Sequence, residues 1–121
     1  EWNGAGAHIN FSTEYMREAG DKQYFEDVCD ALSATHDKHM KVYGEENKKR
    51  LTGDCETQHH NKFTYGVSDR GASVRIPSQT AIDWCGYLED RRPAANVDPY
   101  QAIGVLIKTI SSVKVPENAT V

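Results

Sequence analysis

The chain has 121 residues, enough for one small domain or for a piece of a larger one. Its net charge of −4 argues against a nucleic-acid module, whose footprint is basic. No apolar run approaches the ~18 residues of a membrane span, so a soluble protein without membrane attachment is expected.

Residues 5–12 alternate as a strand does. Ala5, Ala7, Ile9 and Phe11 fall on one face, and Gly6, His8, Asn10 and Ser12 on the other. A row of polar side chains on one strand face suits the lining of a ligand cavity. Ser12-Thr13 offers an N-cap for a short helix from Glu14 to Glu18, stopped near Gly20. From Lys22 to Tyr43 the apolar positions Phe25, Val28, Cys29, Leu32, Met40 and Tyr43 keep helical spacing, with a break expected near Ser33-Ala34-Thr35. Gly44 ends that pattern.

Residues 45–72 are poor in aliphatics and read as a long, functional loop. Ala72 to Pro77 and Gly86 to Arg91 read as strands. Asp98-Pro99 is an N-cap with Pro at the first helical position, opening a helix to about Ser112. That helix is expected to bury Ile103, Leu106, Ile107 and Ile110. The chain opens on Glu1 and Trp2 with no polar lead-in, which reads as a fragment cut from a longer chain.

Five of the six arginines, Arg50, Arg70, Arg75, Arg91 and Arg92, fall from residue 50 onward, whereas residues 14–46 are acidic. Clustered Arg suits bidentate binding of carboxylate or phosphate, so a small anionic ligand is expected. Cys29, Cys55 and Cys85 are odd in number and lack CxxC spacing; they read as reduced thiols of a cytoplasmic protein.

Asn3-Gly4-Ala5-Gly6 taken alone is a tight turn, and a strand rather than a helix follows it, so it is no dinucleotide fingerprint. His36 and His39 form an HxxH pair, but a zinc site needs further ligands, and the pair reads as structural. Glu89, beside Arg91 and Arg92, is on spacing alone a salt-bridge partner. His8 and Glu89 together supply at most two ligands to one ion. A hard Mg²⁺ or Mn²⁺ wants more, so the others must come from outside this chain.

NGAGAHINFS, RLTGDCET, SDRGASVRIP and GYLEDRRPAANVDPY occur in that order, and together they resemble the C-terminal part of the glutamine synthetase catalytic domain. The likeness is to the type II, eukaryotic-like branch. It departs at Cys55, where His is usual, and at Ser68-Asp69, where Ala-Asn is usual. The fold it implies is α+β, a β-sheet or barrel with flanking helices. The N-terminal β-grasp domain and the first part of the catalytic domain would precede residue 1.

The activity implied is ATP-dependent ligation of ammonia to L-glutamate through γ-glutamyl phosphate. Carried over by position, His8 and Glu89 bind a divalent metal, Mg²⁺ or Mn²⁺. Trp2, Asn3 and Gly4 line the glutamate pocket, and Arg50 clamps the α-carboxylate. Asn10, Phe11 and Ser12 contact ATP, as do Tyr87, Leu88 and Glu89. Arg70 and Arg75 bind its phosphates, Arg70 also lying near glutamate and the transferred group. Arg91 touches glutamate and the phosphoryl intermediate. Glu56 sits on a closing flap and helps accept a proton from ammonium. The resemblance also implies a cytoplasmic homo-oligomer of stacked rings, a decamer. Two other readings stay open: a non-catalytic scaffold of the same fold, and a γ-glutamyl ligase for another amine.

Overall fold

A computed structural model describes residues 7–43, 62–93 and 97–116. Three-residue strands β1 (Ile9–Phe11), β2 (Tyr65–Val67), β3 (Val74–Ile76) and β4 (Leu88–Asp90) form one sheet in the order β1-β4-β3-β2. β4 runs antiparallel to both its neighbours, and β2 runs parallel to β3. Helices α1 (Glu14–Glu18), α2 (Lys22–Ala34), α3 (His36–Tyr43), α4 (Ser78–Asp83) and α5 (Pro99–Ser111) complete the described fold. It is a small mixed α/β unit whose sheet, among the described residues, is open.

Local chemistry explains most boundaries. The Thr13 hydroxyl accepts the Met16 N–H at 3.1 Å and starts α1. Asp21 caps α2 through the Tyr24 N–H at 3.2 Å and accepts the Tyr15 hydroxyl at 2.7 Å, which ties the two helices. Between them Gly20 takes φ +66°, a left-handed turn that favours glycine. The long amphipathic pattern does break where expected: Thr35 leaves helical geometry and donates its hydroxyl to the Ala31 carbonyl at 2.9 Å. α5 begins as its sequence indicates, the Asp98 carboxylate accepting the Tyr100 N–H at 2.9 Å.

The core lies between the helices and one face of the sheet. Met16, Phe25, Val28, Cys29, Leu32, Val74, Ile76, Leu88 and Leu106 are all buried in it. Each large apolar side chain so buried stabilises the fold by about 1.5–3 kcal/mol. α2 and α3 both pack on α5.

Two readings need correction, and one helix went unannounced. β2 lies within the stretch taken as loop; three residues on a sheet edge, with one glycine among them, leave little periodicity to detect. α4 follows Pro77 directly and carries no side-chain cap, so no start signal announces it. In α5 the buried stripe is Ala102, Leu106 and Thr109, while Ile103 and Ile107 are 47% and 59% exposed. Among the described residues no helix is long and apolar enough to cross a membrane.

Candidate functional site

β4 builds the site because consecutive side chains on a strand go to opposite faces. Register sets Asn10 opposite Glu89, and Glu89 opposite Arg75, so these three share the face away from the core. His8, two residues before Asn10, and Arg91, two after Glu89, extend the same row. The strand is prolonged on both sides: the Ala7 N–H donates to the Pro93 carbonyl at 3.0 Å, and the Arg91 N–H to the Ser73 carbonyl at 2.9 Å.

Glu89 is the centre of this row. Its Oε1 lies 3.3 Å from His8 Nδ1. Its Oε2 takes Arg91 Nη1 at 3.2 Å and Arg75 Nη1 at 3.5 Å. The carboxylate is mostly buried, the Arg91 side chain nearly completely so, and His8 and Arg75 remain about a third open to solvent. Arg75 Nε is buried with no hydrogen-bond partner among the described residues, so that guanidinium keeps capacity for a further acceptor.

An imidazole nitrogen and a carboxylate oxygen converging from adjacent strands suit a divalent ion. Two neighbouring arginines suit the phosphate oxygens that such an ion bridges. The residues present therefore fit a metal–phosphate site in part. Among the described residues no group of three or more His, Cys, Asp or Glu is placed to hold a metal ion. Two protein ligands fall short of the ~6 oxygens and nitrogens of a hard cation.

The other expected site residues are placed variously. Asn10 is exposed on the open face, and Ser12 accepts a hydrogen bond from Arg17 Nη1 at 2.8 Å. Tyr87 is 40% exposed, with its backbone held by the Thr80 hydroxyl. Leu88 is fully buried and Phe11 packs against the core, so a ligand on the open face would meet only their backbone. Arg70 is exposed on the turn joining β2 to β3. Trp2, Asn3, Gly4, Arg50 and Glu56 lie outside the described residues, as does Cys55.

On the core face β4 carries a second polar set, which corrects the expectation that Arg92 joins the arginine cluster for an anionic ligand: it is buried against Asp90 instead. Asp90 is fully buried and Arg92 is 1% exposed. Arg92 donates from Nε to Asp90 Oδ1 at 2.9 Å and from Nη2 to Oδ2 at 2.8 Å. Tyr43 donates to Asp90 Oδ2 at 2.8 Å, and Arg92 Nη1 donates to His36 Nδ1 at 2.8 Å. Burial pushes the Asp90 proton affinity up, but the Arg92 guanidinium and the hydrogen bonds from Arg92 and Tyr43 outweigh it and hold the carboxyl below its usual range. Burial, followed by the Arg92 charge, pulls His39 down to about 4. The HxxH pair is thus structural, as its spacing indicated. The signal for its partners was present: if Glu89 and Arg91 face a ligand, Asp90 and Arg92 must face the core and find counterparts there.

Comparison with known proteins bears on all of this. The glutamine synthetase of Neurospora crassa is 55% identical over 109 residues, which are 90% of this chain and 30% of that protein. That of Agaricus bisporus is 53% identical over 109 residues, 90% of this chain and 31% of its own length. The Bradyrhizobium diazoefficiens glutamine synthetase is 52% identical over 120 residues, 98% of this chain and 35% of that protein. No family model matches the chain. The chain therefore spans about a third of the length of the curated relatives it matches. The resemblance read from the motifs is borne out: the chain is homologous to part of glutamine synthetase, fungal members included.

Proposed function

We propose that this chain is the C-terminal part of the catalytic domain of an ATP-dependent, ADP-forming glutamate–ammonia ligase. The observation that carries the reading is the Glu89 carboxylate, which meets His8 on one oxygen and two arginines on the other. Phosphoryl transfer demands this kind of environment, with positive charge around the phosphate oxygens and reactants held in place.

In this reading His8 and Glu89 hold one Mg²⁺ or Mn²⁺, which when bound neutralises charge on the ATP phosphates. Arg75 and Arg70 draw in those phosphates. Arg91, its side chain almost entirely enclosed, orients the γ-carboxyl of glutamate and the phosphoryl group. Asn10, Phe11, Ser12, Tyr87 and Leu88 receive the nucleotide, the apolar ones through their backbone. Trp2, Asn3, Gly4 and Arg50 bind glutamate. Glu56 closes over the site, takes a proton from ammonium and keeps water from the acyl phosphate. The sheet belongs to a larger barrel-like catalytic domain, and the full enzyme is a cytoplasmic homo-oligomer of stacked rings. The test is the purified full-length protein, assayed for ADP release. Release that needs both glutamate and ammonium, with glutamine formed in equal amount, is expected. ATP turnover indifferent to glutamate would overturn the reading, and the isolated 121-residue chain is expected to be inactive because its described residues offer two ligands to the ion, His8 and Glu89.

A further inference from the structure

We infer that Arg92 is a positioning residue for the candidate site, acting from the opposite face of the sheet through Asp90 and Tyr43. The inference rests on the reading of His8 and Glu89 as ligands of one divalent ion.

Geometry makes the case. The Asp90 Oδ1 that accepts Arg92 Nε also accepts the Arg92 backbone N–H, at 3.1 Å. That contact spans a single residue, Arg91, and so restrains the backbone torsions of the residue whose guanidinium meets Glu89 on the other face. The bracket is itself held at its far end. Arg92 lies over the rings of Tyr43 and Phe63, at 5.4 and 5.1 Å from their centroids, and its Nη1 is fixed on His36.

Proton directions constrain part of this set. A guanidinium only donates, so His36 Nδ1 accepts and its proton sits on Nε2. Tyr43 spends its one proton on Asp90 Oδ2, so toward His39 Nδ1, 3.1 Å away, it can only accept. His39 Nδ1 also lies 3.5 Å from Arg92 Nη2, and its Nε2 is 2.8 Å from the Thr109 hydroxyl. A chain of buried polar contacts runs from Thr109 on α5 through His39 and Tyr43 on α3 to Asp90 on β4. A buried ion pair is a weak source of stability, since apolar replacements of similar volume often serve as well. What such replacements cannot supply is the direction of two hydrogen bonds on one carboxylate, and that direction sets the pitch of β4 where Glu89 and Arg91 leave it.

The experiment uses the full-length protein and Mn²⁺ titration by calorimetry or electron paramagnetic resonance, with thermal unfolding as the control for folding. Glu89→Gln first defines the class of Mn²⁺ site at issue, which it should remove. The shape-conserving double variant Asp90→Asn, Arg92→Met should then weaken that class about 10-fold or more while remaining folded. Tyr43→Phe should weaken it in the same direction by less, and decides the matter alone if the double variant does not fold. Mn²⁺ binding as in the wild type by folded Tyr43→Phe, and by the double variant if it folds, would overturn the positioning role while leaving the metal assignment intact. Undiminished Mn²⁺ binding by Glu89→Gln would remove that assignment, and this inference with it.

Discussion

Arg91 and Arg92 are consecutive residues whose guanidinium groups lie on opposite faces of the sheet, one 3.2 Å from Glu89 and the other 2.8 Å from Asp90. Identical side chains thereby enter different chemistry. The first faces an open row with His8 and Arg75, and the second closes a buried network with α3.

From this pairing it follows that alanine at the two positions should have separable effects. Arg92→Ala leaves Asp90 as an unpaired buried charge and should cost on the order of 3–5 kcal/mol of stability. Arg91→Ala leaves Glu89 with His8 and Arg75 as neighbours and partly open to solvent, and should cost less stability than Arg92→Ala while impairing turnover. Denaturant unfolding of the full-length variants beside steady-state kinetics measures both. Equal losses of stability would contradict the division.

His8 and Glu89 should behave as one unit. Each single replacement should weaken both Mn²⁺ dependence and ATP affinity, because on the proposed reading one ion held by both would neutralise the ATP phosphates. The double replacement should cost less than the sum of the singles, which a double-mutant cycle reads directly. Strict additivity would mean two separate targets.

Acid should find the buried network first. The His39 imidazole is lowered from an ordinary 6.5 to about 4 by burial and then by Arg92, so the folded state resists a proton that the unfolded chain accepts. The stability this represents is fully present above about 6.5 and is lost as pH falls through about 4, on the order of 3 kcal/mol in all. Thermal midpoints measured across that window should fall for the wild type. They should fall less for His39→Gln, which does not titrate, and parallel curves would exclude His39 as the source.

Gly86 should not tolerate a side chain. A Cβ there would stand 2.5 Å from the Thr80 hydroxyl, the group that accepts the Tyr87 N–H and donates to the Tyr87 carbonyl. Gly86 also has φ +156°. Gly86→Ala should cost roughly 1–3 kcal/mol and disturb the entry to β4, the strand that carries Glu89. A midpoint in urea unchanged from the wild type would show that α4 can move away freely.

Several parts of this protein are set by its sequence. The caps Thr13, Asp21 and Asp98 start their helices, and Thr35 interrupts one. The alternation at His8 and Asn10 puts them on one face, and the ordered motifs point to the relatives. All of these signals act between residues a few positions apart or repeat a fixed period, so they survive in a linear string. The tertiary structure alone decided that β4 lies between β1 and β3, which brings Glu89 beside His8 and Arg75. It also decided that Asp90 and Arg92 meet Tyr43 and His36, and that Ile103 and Ile107 turn outward from α5. Strand order and helix rotation depend on which distant surfaces pack best together. A residue's period states only that it has a face, and its partner across that face comes from a part of the chain with no local bearing on it.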